Sequence, residues 1–437
     1  MKLKNVLQGL FKHITTSPST KPQRLWNNTP TFAYKVFNTP GGWASVSFLF
    51  LYLVLVRYCN HAYYRDPTSV FFDPERGYER GYSVIRQQQG DRFIQTANTS
   101  RNISRFDPPK LCIGIASVGR PGNQYVGSTV GSLLAGLTEQ QRGEINLVML
   151  IAHTNPWDHP IYGQAWLEVV ANKVLLYHVS EEQTKQLQTW EEEKDYRKKA
   201  VFDYTYLLDY CHATGASWIA MVEDDTLAMA GWYPKAMDAV ETADAQHRWS
   251  KTSDWLYLRL FYTEEFFGWN VEGWPRYLLA SVAIVSATAA SLLGIRTLGL
   301  QKLISNHVII VVCLFYTPAC IILYFLAGRV SMVPLSPGVQ QMPKFGCCAQ
   351  GLVFSREMAP KVVARLTIKK AGYVDMLVEE WADEEDLVRW AVVPSLLQHI
   401  GGRSSKGDDM GFKSKHNRAV AEKIWNFGFE LHKADDT

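Results

Sequence analysis

Cysteine is scarce in this chain, with seven among 437 residues. That is too few, and odd in number, for a disulfide scaffold, so at least one thiol stays unpaired. No basic run is interleaved with aromatics, and 45 Lys or Arg nearly balance 42 Asp or Glu, for a formal charge of +3. A nucleic-acid partner, which needs a basic surface that tracks phosphates, is thereby excluded. The 47% hydrophobic and 20% charged content excludes collagen-like and disordered chains. Acid is the most informative shortage. Residues 1–58 and 277–328 hold nine Lys or Arg and no Asp or Glu, which leaves 36 basic against 42 acidic side chains in the remainder. The near-neutral whole is a basic part joined to an acidic part.

The acid-free parts contain three apolar runs. Trp43 to Val56 (WASVSFLFLYLVLV) lies in an uncharged stretch bounded by Lys35 and Arg57; Tyr277 to Ile295 lies between Arg276 and Arg296; Val308 to Gly328 ends at Arg329. Each is close to the ~20 residues that a helix needs to cross the hydrocarbon core. A cleaved signal peptide competes for the first run, but that run starts well inside the chain and no small-residue cleavage site follows it. The Ala, Ser and Gly content of the second run would also suit a buried helix, and its pairing with the third argues for a membrane hairpin. Lys and Arg are retained on the cytoplasmic side. Lys2, Lys4, Lys12, Lys21, Arg24 and Lys35 therefore predict a cytoplasmic tail over 1–42, and Arg296 and Lys302 a cytoplasmic turn over 296–307. The spans are set at 43–58, 277–295 and 308–328. A stem over 59–110 and the segments 111–276 and 329–437 then fall on the lumenal side. Sequons at Asn98 and Asn102 lie in that compartment, although such tripeptides also arise by chance, and Asn27 heads one on the wrong side.

Beyond the stem the chain alternates between strand and helix patterns. Leu111 to Ser117 (LCIGIAS) reads as a buried strand closed by Val118-Gly119-Arg120-Pro121, followed by a helical stretch from Tyr125 to Leu137. Strands follow at Ile145 to Ala152 and Lys173 to His178, with an ambiguous segment at Trp166 to Asn172 between them. A helix is predicted over Asp195 to Ala213, with a strand from Trp218 to Val222. This alternation predicts an α/β domain with a mostly parallel sheet, whose ligands bind beyond the carboxyl ends of the strands. At such an end stand Glu223, Asp224 and Asp225. Three carboxylates after a buried strand are costly unless they are solvated, paired or bound to a cation. A solvated acidic turn is the simpler reading of the triplet in isolation. Its place after an apolar strand and a basic helix favours a divalent ion held together with substrate phosphates.

The segment Arg197 to Tyr233 (RKKAVFDYTYLLDYCHATGASWIAMVEDDTLAMAGWY) resembles the metal-binding core of nucleotide-sugar glycosyltransferases with the GT-A fold, with Glu-Asp-Asp in place of their DxD motif. It is similar to the N-acetylglucosaminyltransferase IV branching enzymes. A transmembrane hairpin inside such a domain resembles more narrowly the post-GPI-attachment N-acetylgalactosaminyltransferases, Golgi enzymes that decorate the GPI glycan. The resemblance runs from about Leu111 to Lys406. It takes in Trp255 to Leu260 and Phe266 to Trp269 as structural segments, Cys347 to Phe354 as a small-residue turn into a strand, Val374-Asp375-Met376-Leu377, and Pro394 to Gly401 with His399. It implies one GT-A-type catalytic domain assembled from both lumenal pieces, rather than two domains flanking the hairpin.

The resemblance also implies roles. Asp225 would bind Mn²⁺, with Asp224 or Glu223 supporting the metal or the ribose. His399 would add a nitrogen ligand or touch the diphosphate, although a structural histidine is the ordinary alternative. Arg120 and Lys198 or Lys199 are candidate cations for the departing UDP, Val118 is placed near the nucleotide, and Ala349 and Gln350 near the donor. Asp375 is the candidate base for the acceptor hydroxyl, ahead of Glu379 and Glu380, whose acidic helix otherwise reads as a solvated face. The implied function is inverting, Mn²⁺-dependent transfer, most simply of N-acetylgalactosamine from its UDP donor to a mannose of a GPI-anchored protein's glycan at the Golgi membrane. An N-glycan branching enzyme is the alternative, as is a non-catalytic receptor or assembly factor. Metal-dependent phosphohydrolysis would need more clustered ligands. Cys112, Cys211, Cys347 and Cys348 are available for pairing in an oxidising lumen, with connectivity open; Cys59 lies at the membrane edge, and Cys313 and Cys320 lie in the third run.

Overall fold

A computed structural model describes residues 40–97, 106–120, 122, 124–250, 254–299, 304–342, 347–402 and 420–433. Asn27, Asn98 and Asn102 lie outside the described residues, as does most of the basic tail. The chain divides into two compact units, one of residues 1–58 with 274–323, the other of residues 59–273 with 324–437.

The first unit is helical. The apolar spans are Gly41–Ala62, Trp274–Thr297 and Asn306–Leu326, 22, 24 and 21 residues long. At ~1.5 Å per residue each reaches about 30 Å, the thickness of a hydrocarbon core. Leu49, Phe50, Leu51, Leu53, Leu279 and Phe315 are exposed on these helices, as lipid-facing side chains would be. Their polar groups are turned to one another: Tyr52 Oη donates to the Ala319 carbonyl at 3.2 Å, Tyr316 Oη donates to Ser45 Oγ, and the Tyr316 ring stacks on Phe48. Hydrocarbon offers no other partners to such groups. Three helices of this kind fit a membrane protein.

The second unit is α/β. Its main sheet has strands β1 (Leu111–Ser117), β2 (Ile145–Ile151), β3 (Lys173–Leu175), β4 (Trp218–Val222), β6 (Trp255–Arg259), β7 (Gly338–Gln341), β8 (Gly351–Ser355) and β9 (Val388–Val393), in the order β3-β2-β1-β4-β8-β6-β9-β7. β3, β2, β1 and β4 are parallel, as the alternation predicts. Beyond β4 the sheet is mixed. β8 is antiparallel to both β4 and β6, β9 is parallel to β6, and β7 is antiparallel to β9. Six of the eight strands nevertheless run the same way, so the expectation of a mostly parallel sheet describes all but β7 and β8, the two antiparallel strands that follow the hairpin. β8 pairs with β4 and β6 across the inserted helices, so a single folded unit is built from both chain segments.

Alternation along the strands loads two cores, one on each face. Ile113, Ile115, Leu147 and Met149 meet Val130, Leu133 and Trp232 on one face. Cys112, Val148, Ile219 and Met221 meet Leu207, Leu208 and Val362 on the other. On that second face Cys112 is bonded to Cys211 on the helix Tyr196–Ala213, across a sequence separation of 99. In chain-entropy terms, closing so long a loop contributes roughly 4–5 kcal/mol. Cys347 is bonded to Cys348, and Cys59, Cys313 and Cys320 are free.

The segment predicted as a stem contributes to this unit. The helix Tyr82–Gln95 packs on the helix Val126–Leu134 through Gly90 and Gly131. From it Arg86, buried, donates through Nε to the Ala228 carbonyl and through Nη2 to the Ser132 carbonyl, both at 2.8 Å. A Cβ on Gly131 would overlap the backbone of Gly90, and neither helix can retreat without breaking Arg86's contacts. Gly131→Ala is predicted to cost at least about 2 kcal/mol by overpacking, seen as a lower melting temperature of the purified full chain; an unchanged melting temperature would contradict this packing.

Candidate functional site

Glu223, Asp224 and Asp225 follow β4 directly, at the carboxyl end of the parallel strands. The chain then forms the short strand β5 (Thr226–Ala228), antiparallel to β10 (Leu397–His399) with Thr226 opposite His399. This register brings His399 from the far end of the sequence to Asp225: its Nε2 lies 3.4 Å from Asp225 Oδ2. Asp224 and Asp225 are each 7% exposed and His399 is 4% exposed.

Two neighbours fix the backbone here through three hydrogen bonds. Thr129 Oγ1 donates to the Asp224 carbonyl at 2.9 Å and accepts from the Thr226 amide, while the Ile400 amide donates to the Asp225 carbonyl at 2.8 Å. The Asp224 carboxylate is held by a relay of side chains that no sequence motif announces. The Ile161 amide donates to His159 Nδ1 at 3.2 Å. That nitrogen therefore carries no proton, and Nε2–H is the donor to Ser117 Oγ at 3.0 Å, whose own hydroxyl donates to Asp224 Oδ2 at 2.6 Å. Burial, then the nearby His153 and Arg120, pushes the His159 pKa down to about 4, consistent with a neutral ring.

Arg120, in the loop after β1, forks across both aspartates. Its Nη1 is 2.9 Å from Asp225 Oδ2, and its Nη2 pairs with Asp224 Oδ1. Burial raises the Asp224 pKa to about 6, against the pull of Arg120 and the Ser117 hydroxyl. For Asp225 burial acts in the same sense but is outweighed by His399 and Arg120, which hold the carboxyl below the ordinary range. Burial opposes charging of His399, and Asp225 more than offsets it, so the imidazole is raised.

Gln350, 2% exposed, donates through Nε2 to Glu223 Oε2 at 2.9 Å and accepts the Glu223 amide on its own carbonyl. The Asp375 carboxylate lies within 4.8 Å of the sulfurs of Cys347 and Cys348, and those two residues lead into Ala349 and Gln350. Asp375 and Glu223 both act on the buried Tyr204, whose hydroxyl burial raises well above its usual pKa. Asp375 thus belongs to the Gln350 side of the site. Glu379 does not lie on a solvated face. It pairs with Arg259 and Arg389 and accepts from Tyr257, which corrects the solvated reading and leaves Glu379 neutralised. Glu380 is exposed and pairs with Lys369. Lys199 is buried on a network of its own: Nζ donates to the Ala152 carbonyl at 2.8 Å, Tyr177 Oη at 2.7 Å and Asp203 Oδ2 at 3.0 Å. Its three donors are committed there. Val118, half-buried, adjoins Arg120 at the end of β1.

Sequence reasoning also missed the C-terminal segment. The Ile424 carbonyl meets His399 Nδ1 at 3.1 Å, Gln398 clasps Asn426 and Glu430, and the buried Glu264 accepts the Phe427 and Gly428 amides. His399 is therefore oriented by its Nδ1 contact, with Nε2 turned to Asp225.

The donor set suits a divalent ion. Asp225 Oδ1 is buried with no hydrogen-bond partner, and so is Gln350 Oε1. Gly401 lets its backbone approach the site closely, since a Cβ there would overlap Asp225 Oδ2 and sit 2.9 Å from His399 Nε2. Carboxylate oxygens with one imidazole nitrogen are ligands that hard or borderline ions accept.

The family model described as GPI-N-acetylgalactosamine transferase PGAP4 matches residues 111–398, about two thirds of the chain. The chain belongs to that family. No curated protein matches it closely enough to be counted as a relative.

Ser117→Ala would leave both the His159 Nε2–H and Asp224 Oδ2 without their partner. A loss of about 2 kcal/mol is expected, measured by thermal melting of the full chain. Adding His159→Phe to Ser117→Ala should cost less than the sum of the two single substitutions; strict additivity would show that the three groups do not act as a chain.

Proposed function

We propose that this member of the GPI-N-acetylgalactosamine transferase family is a Golgi membrane enzyme of GT-A type. In this reading it moves N-acetylgalactosamine from its UDP donor to a mannose of the GPI glycan, with inversion. The observation that carries the metal-dependent part is the pairing of β5 with β10, which sets His399 beside Asp225, whose buried Oδ1 has no hydrogen-bond partner. Asp225 and His399 would hold the ion, with Asp224 or Glu223 toward the ribose. A bound Mn²⁺ supplies positive charge that offsets the charge developing on the departing diphosphate.

The protein's own groups supply the remainder. Burial of the carboxylates keeps the local dielectric low, so each charge contact acts more strongly than it would in water. The relay from His159 through Ser117 fixes Asp224, and the Ile424 carbonyl fixes His399, so neither must reorganise during transfer. Arg120 supplies a second cation near the diphosphate. Asp375, half-buried and without the arginine partners that neutralise Glu379, is the carboxylate suited to accept the proton of the mannose hydroxyl as it attacks the anomeric carbon. Two apolar helices within the catalytic chain suit an acceptor that is itself anchored in a membrane leaflet.

The test is to incubate the purified full chain with Mn²⁺, a set of UDP-sugars, and either GPI-linked or N-glycan acceptors. Transfer of N-acetylgalactosamine to the GPI acceptor is expected, and transfer only to N-glycans would overturn the assignment. Asp225→Ala should reduce turnover at least about 10³-fold. Gly401→Ala should weaken Mn²⁺ binding at least about tenfold without unfolding the chain, read by calorimetric titration. Asp375→Asn should lower kcat by about 10²–10⁴-fold, the usual worth of a general base, while leaving the Kd for UDP unchanged; full activity in that variant would move the base elsewhere.

A further inference from the structure

Arg120 meets the two aspartates in a way that donor binding alone does not require. With its side chain only 10% exposed, its guanidinium places one nitrogen on each carboxylate, and the Tyr125 ring flanks it 5.4 Å from the centroid. The amide before it, at Gly119, is tied to His153 Nε2 at 2.8 Å. The base of the loop is thus fixed, and the side chain reaches from it across the mouth of β4. One oxygen of Asp225, Oδ2, is shared by Arg120 and His399, while Oδ1 has no partner. A divalent ion on Asp225 would then stand next to a guanidinium already seated on the same carboxylate, and like charges at such separation repel strongly in a buried site.

We propose that Arg120 is the resident counter-cation of the ligand-free site, holding the place of the metal and releasing it only when a nucleoside diphosphate offers the guanidinium a new anion. This inference rests on the metal-dependent reading above and adds an order to it. Guanidinium binds phosphate in the same forked manner as carboxylate, so the diphosphate can draw Arg120 off Asp225 as the metal takes that oxygen. Metal and nucleotide then favour one another's binding by the same factor, as linkage requires. Arg120 also keeps the paired aspartates from repelling each other before any ligand arrives.

The experiment measures Mn²⁺ binding to the full-length protein in detergent, by the loss of the free-ion magnetic resonance signal, with and without UDP. In the unmodified protein Mn²⁺ should bind weakly alone and at least about tenfold more tightly with UDP. Arg120→Gln should bind Mn²⁺ alone at least about tenfold more tightly than the unmodified protein, and UDP should add little. In EDTA this variant should melt at a lower temperature than the unmodified protein, and Mn²⁺ alone should restore it. Arg120→Lys, which keeps the charge but not the fork, should fall between the two and serves if the glutamine variant does not fold. If the unmodified protein binds Mn²⁺ with UDP while Arg120→Gln, or Arg120→Lys in its place, gains no affinity for Mn²⁺ alone, the counter-cation role is overturned and the metal reading stands. If neither protein binds Mn²⁺ even with UDP, both fail.

Discussion

Two adjacent carboxylates at 7% exposure cannot both stay ionised without positive charge and hydrogen-bond donors around them, and much of the second unit supplies these. Asp224 takes the Ser117 hydroxyl from β1, and the backbone that follows it is pinned by Thr129 from the helix Val126–Leu134. Asp225 takes His399 from β10 and shares Arg120 with Asp224. The stretch from Ser117 to Thr129 and the distant His399 therefore converge on two residues. The compensation for Asp225 is incomplete, since Oδ1 has no partner. A buried acceptor left open is a cost with no structural return, and the proposed divalent ion is what would offset it.

The same economy explains the contrast with Glu379. That carboxylate is shared by two arginines and a tyrosine, so its charge is fully engaged in joining the helix Val374–Glu384 to β6 and β9. Asp375, on the first turn of that helix, has no such clamp. Along a single helix, one carboxylate is paired with two arginines as part of the scaffold and another, among the described residues, has no arginine partner. Local partners decide between these outcomes, and neither residue type nor spacing does.

Much of the site was legible from sequence because it lies where short-range pattern is strong. An apolar strand that ends in Glu223-Asp224-Asp225 places the carboxylates at a strand end, and the three apolar runs declare themselves by composition. His399 could be named through resemblance, but its partner could not, because the β5–β10 pairing is long-range. Glu379 was misread for a related reason: the sequence displays a run of acids, while Arg259 and Arg389 approach from other elements. Ser117 and His159 carry no local signal at all. The helix Tyr82–Gln95 was taken for stem because it docks through Gly90 and Arg86 instead of an apolar stripe, and hydrophobic periodicity does not register that mode of packing. The antiparallel direction of β7 and β8 carries no local signal, because it is set by how the chain returns to the sheet after the hairpin.

That hairpin imposes a condition on assembly. β4 precedes it and β8 and β10 follow it, yet β4 pairs with β8 and β5 pairs with β10. Segments that share a sheet must lie on one side of any bilayer the helices cross, so the number of crossings between them must be even, and the two apolar helices Trp274–Thr297 and Asn306–Leu326 supply that number. The points of departure and return are held together: the Trp269 ring packs on Phe325, and its Nε1 donates to the Phe325 carbonyl at 3.1 Å. An insertion whose ends meet disturbs a host domain least. A chain in which only one of these helices crossed would strand Gln350 and His399 opposite their partners Glu223 and Asp225. The pairings of β4 with β8 and of β5 with β10 therefore require that these two helices cross together or not at all.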